Sequence, residues 1–159
     1  MKALIVYDSV FGNTEKIAKA IGDSLADLQS TEVVKVSEAK LEQLQGTDLL
    51  IVGSPTRAFK PTKAIVDFLI QIPSNGLKGI DVAAFDTRVN TEDVNSRILN
   101  GFVKIFGYAA KPIADKLQKK GGNLVIPPEG FFVKDNEGPL KEGELERAAK
   151  WAKQVMKGE

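Results

Sequence analysis

The chain of 159 residues contains neither cysteine nor histidine. The absence of cysteine excludes disulfides, thiolate nucleophiles, iron–sulfur ligation and cysteine-bound zinc. The absence of histidine removes the side chain that most often serves acid–base catalysis and binds transition metals. If this protein takes part in chemistry, we therefore expect the reactive atoms to belong to a molecule that it binds.

The sequence also has little net charge and no long apolar run. Its 22 basic and 21 acidic residues leave a formal charge of +1, which gives no indication of nucleic acid or a membrane as a partner. No apolar stretch approaches the ~18 residues of a membrane span, and a strand begins almost at the N-terminus, which leaves no room for a signal peptide. We expect a cytoplasmic protein with a single domain over residues 1–159.

Apolar runs alternate with helical patterns along the chain, which predicts a parallel sheet covered by helices on both faces. Strands are predicted at 2–7, 32–38, 48–54, 81–87 and 123–133, the last interrupted by Pro127-Pro128. Helices are predicted at 14–28, 61–72, 109–120 and 142–156. In such sheets ligands bind at the carboxyl ends of strands, beside a change in strand order. The candidate loops are therefore 8–14, 54–61 and 86–93.

The loop after the first strand, DSVFGNTEK (8–16), has the composition of an anion-binding turn. Ser9, Asn13 and Thr14 carry side-chain donors, and Gly12 lets the backbone turn and a ligand approach closely. Thr14 is predicted as the N-cap of the next helix, whose unpaired N–H groups would point into the loop. The same residues would also suit a capped turn without a ligand. Neither GxxxxGK[ST] nor GxGxxG is present, which argues against the usual triphosphate and dinucleotide loops.

The segment YDSVFGNTEKIA (7–18) closely resembles the phosphate-binding loop of flavodoxins, small proteins that hold flavin mononucleotide (FMN). That family pattern is a strand, a hydroxyl residue, two variable residues, Gly-Asn-Thr and a helix. It is matched in order by Ser9, Val10, Phe11, Gly12, Asn13 and Thr14. DLLIVGSPT (48–56) is similar to the family's third strand and first flavin-ring loop, and the chain ends like the tail of short-chain flavodoxins.

The resemblance covers nearly the whole chain and implies a flavodoxin-like three-layer α/β sandwich. Its five-stranded parallel sheet would have the order 2-1-3-4-5. The implied cofactor is FMN, with the phosphate on residues 9–14 and the ring between two loops. The ring loops would contribute Pro55, Thr56, Arg57, Ala58 and Phe59 on one side and Asp86, Thr87 and Arg88 on the other. Phe59 is the aromatic candidate for stacking on the flavin, or else an anchor that packs on helix 61–72.

Two departures from the flavodoxin pattern concern redox properties. Residues 57–60 read Arg-Ala-Phe-Lys, where flavodoxins often carry a glycine whose peptide flips on reduction. A peptide flip that puts a residue at positive φ costs about 1 kcal/mol or more at any residue other than glycine. We therefore expect the neutral semiquinone of the bound flavin to be less stabilised than in typical flavodoxins. Arg57, Lys60 and Arg88 also stand on the ring loops. A cation near the ring would favour the anionic hydroquinone and raise the second potential, unless these side chains are solvated and only rim the site.

Residues 89–108 form an apparent insertion relative to short flavodoxins. Val94, Ile98 and Phe102 recur there at helical spacing, interrupted by Gly101. One interpretation is that the segment covers the flavin ring, binds a second substrate or makes a dimer contact. The other is that it forms a longer helix packed on the sheet.

The resemblance implies an electron-transfer protein that shuttles electrons between redox partner proteins, a reductase and an acceptor, as a monomer or weak homodimer. No catalytic residue and no metal site is expected in that case. The alternative is an FMN-dependent reductase of quinones or other small molecules that uses segment 89–108 as a substrate pocket or dimer contact. A response-regulator receiver is excluded, because only Asp8 follows the first strand where an acidic pair is needed. A flavodoxin that has lost its ligand stays open as a further alternative.

Overall fold

A parallel β-sheet forms the centre of the computed structural model, which describes residues 1–28, 30–90 and 108–158. The strands are β1 (Lys2–Tyr7), β2 (Ser30–Lys35), β3 (Leu49–Pro55), β4 (Asp81–Val89), β5 (Asn123–Leu124) and β6 (Glu129–Val133). The helices are α1 (Asn13–Ser24), α2 (Lys63–Gln71), α3 (Ala110–Lys119) and α4 (Glu144–Lys157). Two short 3-10 segments cover Val36–Glu38 and Leu41–Leu44.

The strand order is β2-β1-β3-β4-β5, as predicted, and β6 also pairs with β4. β5 aligns with the start of β4 and β6 with its end, so the predicted fifth strand consists of two short strands along one edge. The break falls around Pro127-Pro128, because proline has no N–H to donate to a ladder. All of these pairings are parallel. The carboxyl ends of β1, β3, β4 and β6 therefore meet at the same edge of the sheet.

Helices cover both faces of the sheet. On one face, Ile5 and Phe85 of the sheet pack in one apolar cluster with residues of α1 and α4. On the other face, Leu50 belongs to a second cluster with Phe68 of α2 and Ile113 of α3. This arrangement confirms the three-layer sandwich. Within the described ranges, no helix is both long and apolar enough to cross a membrane.

Several element boundaries differ from the predicted ones. β2 ends at Lys35, because the chain turns at Val36, whose carbonyl accepts the Ala39 N–H at 3.2 Å. α1 ends at Ser24 instead of residue 28, and the residues that follow continue as turns. α4 begins after Gly143, whose φ is +84°. Residues 91–107 of the predicted insertion lie outside the described residues.

Candidate functional site

A cleft opens where β1, β3, β4 and β6 end. Its deeper part has a volume of about 40 Å³ and shares lining residues with an outer cavity of about 610 Å³. Most of the predicted site residues line the deeper part: Ser9, Val10, Phe11, Asn13, Thr14, Pro55, Thr56, Arg57, Thr87 and Arg88. Segments that are far apart in the sequence thus meet at the edge of the sheet that the strand pattern indicated.

The loop between β1 and α1 is organised by Ser9. Its Oγ accepts the Gly12 N–H at 3.0 Å and the Glu15 N–H at 3.4 Å. Gly12 is the N-cap of α1 and has a φ of +92°, which residues with a Cβ rarely adopt. The prediction of Thr14 as N-cap was therefore wrong, because the helix already begins at Asn13. The first N–H groups of α1 have no acceptor within the helix, which makes its start a favourable place for an anion.

Thr14 and Asn13 tie this loop to two neighbouring segments. The Thr14 Oγ1 lies 2.7 Å from the Thr87 Oγ1 near the end of β4, and both side chains are buried. The Asn13 Nδ2 donates to the Glu137 carbonyl at 3.0 Å. Asn13 also lies against Gly138, where an added Cβ would come within 2.6 Å of that Nδ2. The loop is thus held on both sides by contacts within the chain.

Residues 57–60 form a tight turn after β3. The Arg57 N–H donates to the Lys60 carbonyl at 2.8 Å, and the Lys60 N–H donates to the Arg57 carbonyl at 2.9 Å. Within the turn, Ala58 has a φ of +48° and Phe59 a φ of +67°. Two consecutive residues with side chains therefore hold a left-handed conformation, which is strained. The Arg57 guanidinium lies 5.5 Å from the centre of the Phe11 ring and connects this turn with the loop after β1.

Two predicted residues of the first ring loop, Ala58 and Phe59, lie outside the deeper cleft. Ala58 lines the outer cavity. Phe59 lines a neighbouring cavity of about 760 Å³, together with Pro61, Val66 of α2 and Pro112. This position of Phe59 suits the alternative of an anchor beside α2 better than that of a stacking partner in the deeper cleft.

Asp86 and Arg88 form a bidentate ion pair at the end of β4. The Arg88 Nε and Nη2 donate to the Asp86 Oδ1 and Oδ2, both at 2.7 Å, and the Ala110 N–H donates to Oδ2 at 2.9 Å. Asp86 has no exposed surface and does not line the cleft, whereas Arg88 does. Burial raises the pKa of Asp86, and the hydrogen bonds from Arg88 and Ala110 act in the opposite direction.

Tyr7 and Glu15 form a second polar pair close to the loop. The Tyr7 hydroxyl donates to the Glu15 Oε1 at 2.8 Å. Burial, together with this hydrogen bond, raises the pKa of Tyr7 to about 12. The hydrogen bond from Tyr7 and the charge of Lys19 lower the pKa of Glu15. At neutral pH the phenol is therefore protonated and the carboxylate ionised.

Sequence reasoning missed the loop after β6 and the ring of Tyr108. Asn136 lines both parts of the cleft, and Glu137 lines the outer part. Residues 135–139 read Asp-Asn-Glu-Gly-Pro, a turn composition after the strand predicted next to strand 4, so the signal was present. Tyr108 precedes α3, and its ring centre lies 3.7 Å from the Arg88 guanidinium.

A glycine turn at the start of the first helix, with a cleft beside the change in strand order of a parallel sheet, defines a mononucleotide-binding site of the flavodoxin type. Comparison with known proteins agrees with this class. The family model of the flavodoxin domain matches residues 4–129, and the chain belongs to this family.

One curated relative is a flavodoxin of Aquifex aeolicus (strain VF5), which is 42% identical over 57 residues. That match covers 35% of this chain and 31% of the relative. Among solved structures, oxidised flavodoxin 1 of Bacillus cereus has a TM-score of 0.77 at 18% identity, covering 99% of this chain and 98% of its own. A flavodoxin from the domain Archaea has a TM-score of 0.76 at 24% identity, covering 99% and 97%. These structural likenesses establish the fold.

Proposed function

We propose that the chain binds FMN and carries electrons between redox proteins. The observation that carries the proposal is the Ser9-organised loop at the start of α1, which borders the cleft. The phosphate binds at residues 9–14, and the ring lies between residues 55–59 on one side and 86–88 on the other. When bound, FMN supplies one- and two-electron chemistry that no side chain of this protein provides.

The residues present fit an anionic flavin nucleotide. Gly12 leaves the start of α1 open to close approach, and N–H groups there favour a phosphate. Thr14 and Thr87 each have one hydroxyl hydrogen, and one of the two is sufficient for the 2.7 Å contact between them. The other hydroxyl hydrogen can be donated to a phosphate oxygen. Phe11 and Val89 add apolar surface to the cleft lining for a flat ring.

The protein's task is to bind and orient the flavin and to admit redox partners at the cleft. A reductase and an electron acceptor are the proposed partners. The monomeric or weakly dimeric state and the cytoplasmic location stay predictions from the sequence. The alternative of a quinone or small-molecule reductase depends on segment 89–108, most of which lies outside the described residues, and no specific observation favours it.

Titration of the purified protein with FMN, followed by visible absorption, tests the cofactor proposal. We expect saturable binding with the shifted spectrum of a bound flavin and reduction by dithionite. A reduced protein that passes its electrons to cytochrome c, without oxidising NAD(P)H directly, would support the carrier. Rapid direct oxidation of NAD(P)H would support the reductase instead.

Two glycine variants make the test specific for the loop. Gly12 and Gly46 both have positive φ, +92° and +73°, and both have open space where a Cβ would stand. Gly12→Ala and Gly46→Ala should therefore cost similar stability, about 1 kcal/mol each. Only Gly12→Ala should weaken FMN binding, because Gly46 precedes β3 at the opposite edge of the sheet. Absence of FMN binding by the wild type at micromolar concentrations would refute the proposal.

A further inference from the structure

The guanidinium of Arg88 is fixed from three directions. Asp86 accepts two hydrogen bonds from it at 2.7 Å. The Tyr108 ring faces it with its centre 3.7 Å away. On β6, a Cβ built at Gly130 would overlap the Nε and Cζ of Arg88, so a residue without a side chain is needed there. These contacts come from three separate segments of the chain and leave one orientation for the guanidinium.

Asp86 itself is directed at Arg88 and not at a ligand. Its carboxylate has no exposed surface, and its recorded hydrogen bonds come from Arg88 and the Ala110 N–H. A buried ion pair of this kind contributes little net stability, because desolvation of both charges offsets their attraction. We therefore assign to the pair the orientation of the Arg88 guanidinium and not a contribution to the stability of the fold.

Arg88 differs from the other cation of the deeper cleft. Of the described residues, Arg57 and Arg88 are the cationic ones that line it. Arg57 lies on an exposed turn, whereas the Arg88 side chain is only 18% exposed. A cation whose rotamer is already fixed loses less conformational entropy when it binds a ligand. Arg88 is thus the preorganised donor of the cleft.

We propose that Asp86, Tyr108 and Gly130 are positioning residues that hold Arg88 ready to donate hydrogen bonds to an oxygen of the bound flavin nucleotide. This inference rests on the proposed function. The accepting oxygen belongs either to the phosphate or to the carbonyl edge of the ring. Both are hydrogen-bond acceptors that a guanidinium suits.

Flavin affinity in a set of variants tests this inference. Arg88→Gln should weaken FMN binding by about tenfold to a hundredfold, the range of a hydrogen bond to a charged group. Asp86→Asn and Gly130→Ala should each weaken it as well, although neither residue lines the cleft. The double variant Asp86→Asn/Arg88→Gln should bind no more weakly than Arg88→Gln alone, because Asp86 acts through Arg88. Arg88→Lys should not restore binding, since an ammonium lacks the planar fork.

A second arginine–carboxylate pair provides the matched control. The Arg147 Nη2 lies 2.7 Å from the Glu144 Oε2, and the Arg147 guanidinium lies 4.6 Å from the Phe131 ring centre. This pair does not line the cleft. Glu144→Gln should therefore lower the thermal midpoint of the protein without FMN but leave FMN affinity unchanged. Thermal midpoints of the Asp86, Arg88 and Gly130 variants, measured without FMN, separate loss of fold from loss of binding.

Riboflavin distinguishes the two accepting oxygens. If Arg88 serves the phosphate, Arg88→Gln weakens FMN binding and leaves riboflavin binding unchanged. If Arg88 serves the ring, both flavins lose affinity equally and the second reduction potential shifts.

Three results would overturn the inference while FMN still binds to the wild type. These are unchanged binding in Arg88→Gln, unchanged binding in folded Asp86→Asn and Gly130→Ala, and additive losses in the double variant. Failure of the wild type to bind FMN would instead overturn the proposed function.

Discussion

Ala58 and Phe59 carry backbone strain at the site. Both have side chains and positive φ, in a turn closed by two hydrogen bonds between Arg57 and Lys60. Such a conformation costs roughly 1–2 kcal/mol per residue. From the sequence, this cost was expected only when a peptide flips on reduction. In the structure, however, Ala58 and Phe59 already have positive φ. The folded protein therefore carries this strain without any peptide flip.

Ala58→Gly should therefore stabilise the folded protein. The relief of strain exceeds the entropy that glycine adds to the unfolded chain, and we expect a net gain of about 0.5–1 kcal/mol. Urea denaturation measures it. Ala64→Gly, within α2, is the control and should lose about 1 kcal/mol. A loss of stability in Ala58→Gly would show that the side chain matters more than the strain. In a dithionite titration, the same variant should also stabilise the half-reduced flavin.

The Thr14–Thr87 hydroxyl pair should contribute to phosphate binding. Thr14→Val keeps the side-chain shape but removes the hydroxyl of the loop that is proposed to bind the phosphate, and leaves the Thr87 hydroxyl on β4 alone. We expect FMN to bind about fivefold to tenfold more weakly, as for the loss of one hydrogen bond of ~1 kcal/mol. Thr14→Ser keeps the hydroxyl and should bind nearly as the wild type does. Equal affinities of the valine and serine variants would contradict this role.

At the scale of elements, the backbone groups of the edge strand β6 are satisfied by both side chains and backbone of the segment that follows it. Its Phe132 N–H donates to the Glu144 Oε2 at 2.7 Å, and the Phe132 carbonyl accepts the Lys141 N–H at 2.9 Å. Arg147 donates to the Gly130 carbonyl and pairs with Glu144. Backbone groups that would otherwise stay unpaired at the edge are therefore satisfied by the start of α4.

Glu144 should make stability depend on pH. Burial alone would raise its pKa, but hydrogen bonds from Arg147 and the Phe132 N–H together lower it below the ordinary 4.5. A lowered pKa means that the ionised form is preferred in the folded state. The contribution is therefore complete above about pH 4.5 and is lost as the pH falls through the lower, folded-state value.

Glu144→Gln should lower the free energy of unfolding by about 1–3 kcal/mol at pH 7, and the difference from the wild type should shrink below pH 4. Denaturation curves at several pH values measure this difference. Glu146→Gln, at an exposed position of the same helix, should have little effect at any pH. A difference that stays constant down to pH 3 would contradict the role assigned to the Glu144 charge.

At the scale of the whole molecule, the sequence predicted the order of strands and helices better than it predicted the contacts between side chains. Apolar runs such as residues 48–54 placed the strands, because a strand buried on both faces must be apolar throughout. The loop 9–14 was identified because its residue types match a phosphate turn. The N-cap was misplaced by two residues, since serine, threonine and glycine all suit that position. The contact between the Tyr108 ring and Arg88 was not predictable, because the two residues are about 20 positions apart and their contact depends on how α3 packs against the sheet.

The distribution of charge over the molecule was also hidden in the sequence. Of the cations predicted to surround the ring, Arg88 is neutralised by Asp86 at 2.7 Å. Lys63 of α2, which was not among the predicted cations, is paired with Asp67 on the same helix at 2.8 Å. Arg57 and Lys60 then remain as the basic side chains of the ring loop, in a chain with a formal charge of +1. The long-range field that would attract a charged partner is therefore weak.

Electron transfer from the reduced protein to a basic cytochrome c should accordingly depend little on salt. We expect the second-order rate constant to change by less than about threefold between 10 and 200 mM NaCl, against the 10- to 1,000-fold that strong steering provides. Stopped-flow absorption at the cytochrome band measures it. Arg57→Glu/Lys60→Glu should raise the rate at low salt and make it fall steeply as salt is added, because the cleft rim then attracts the basic acceptor. A steep decrease with salt in the wild type would show instead that an acidic surface outside these residues guides its partners.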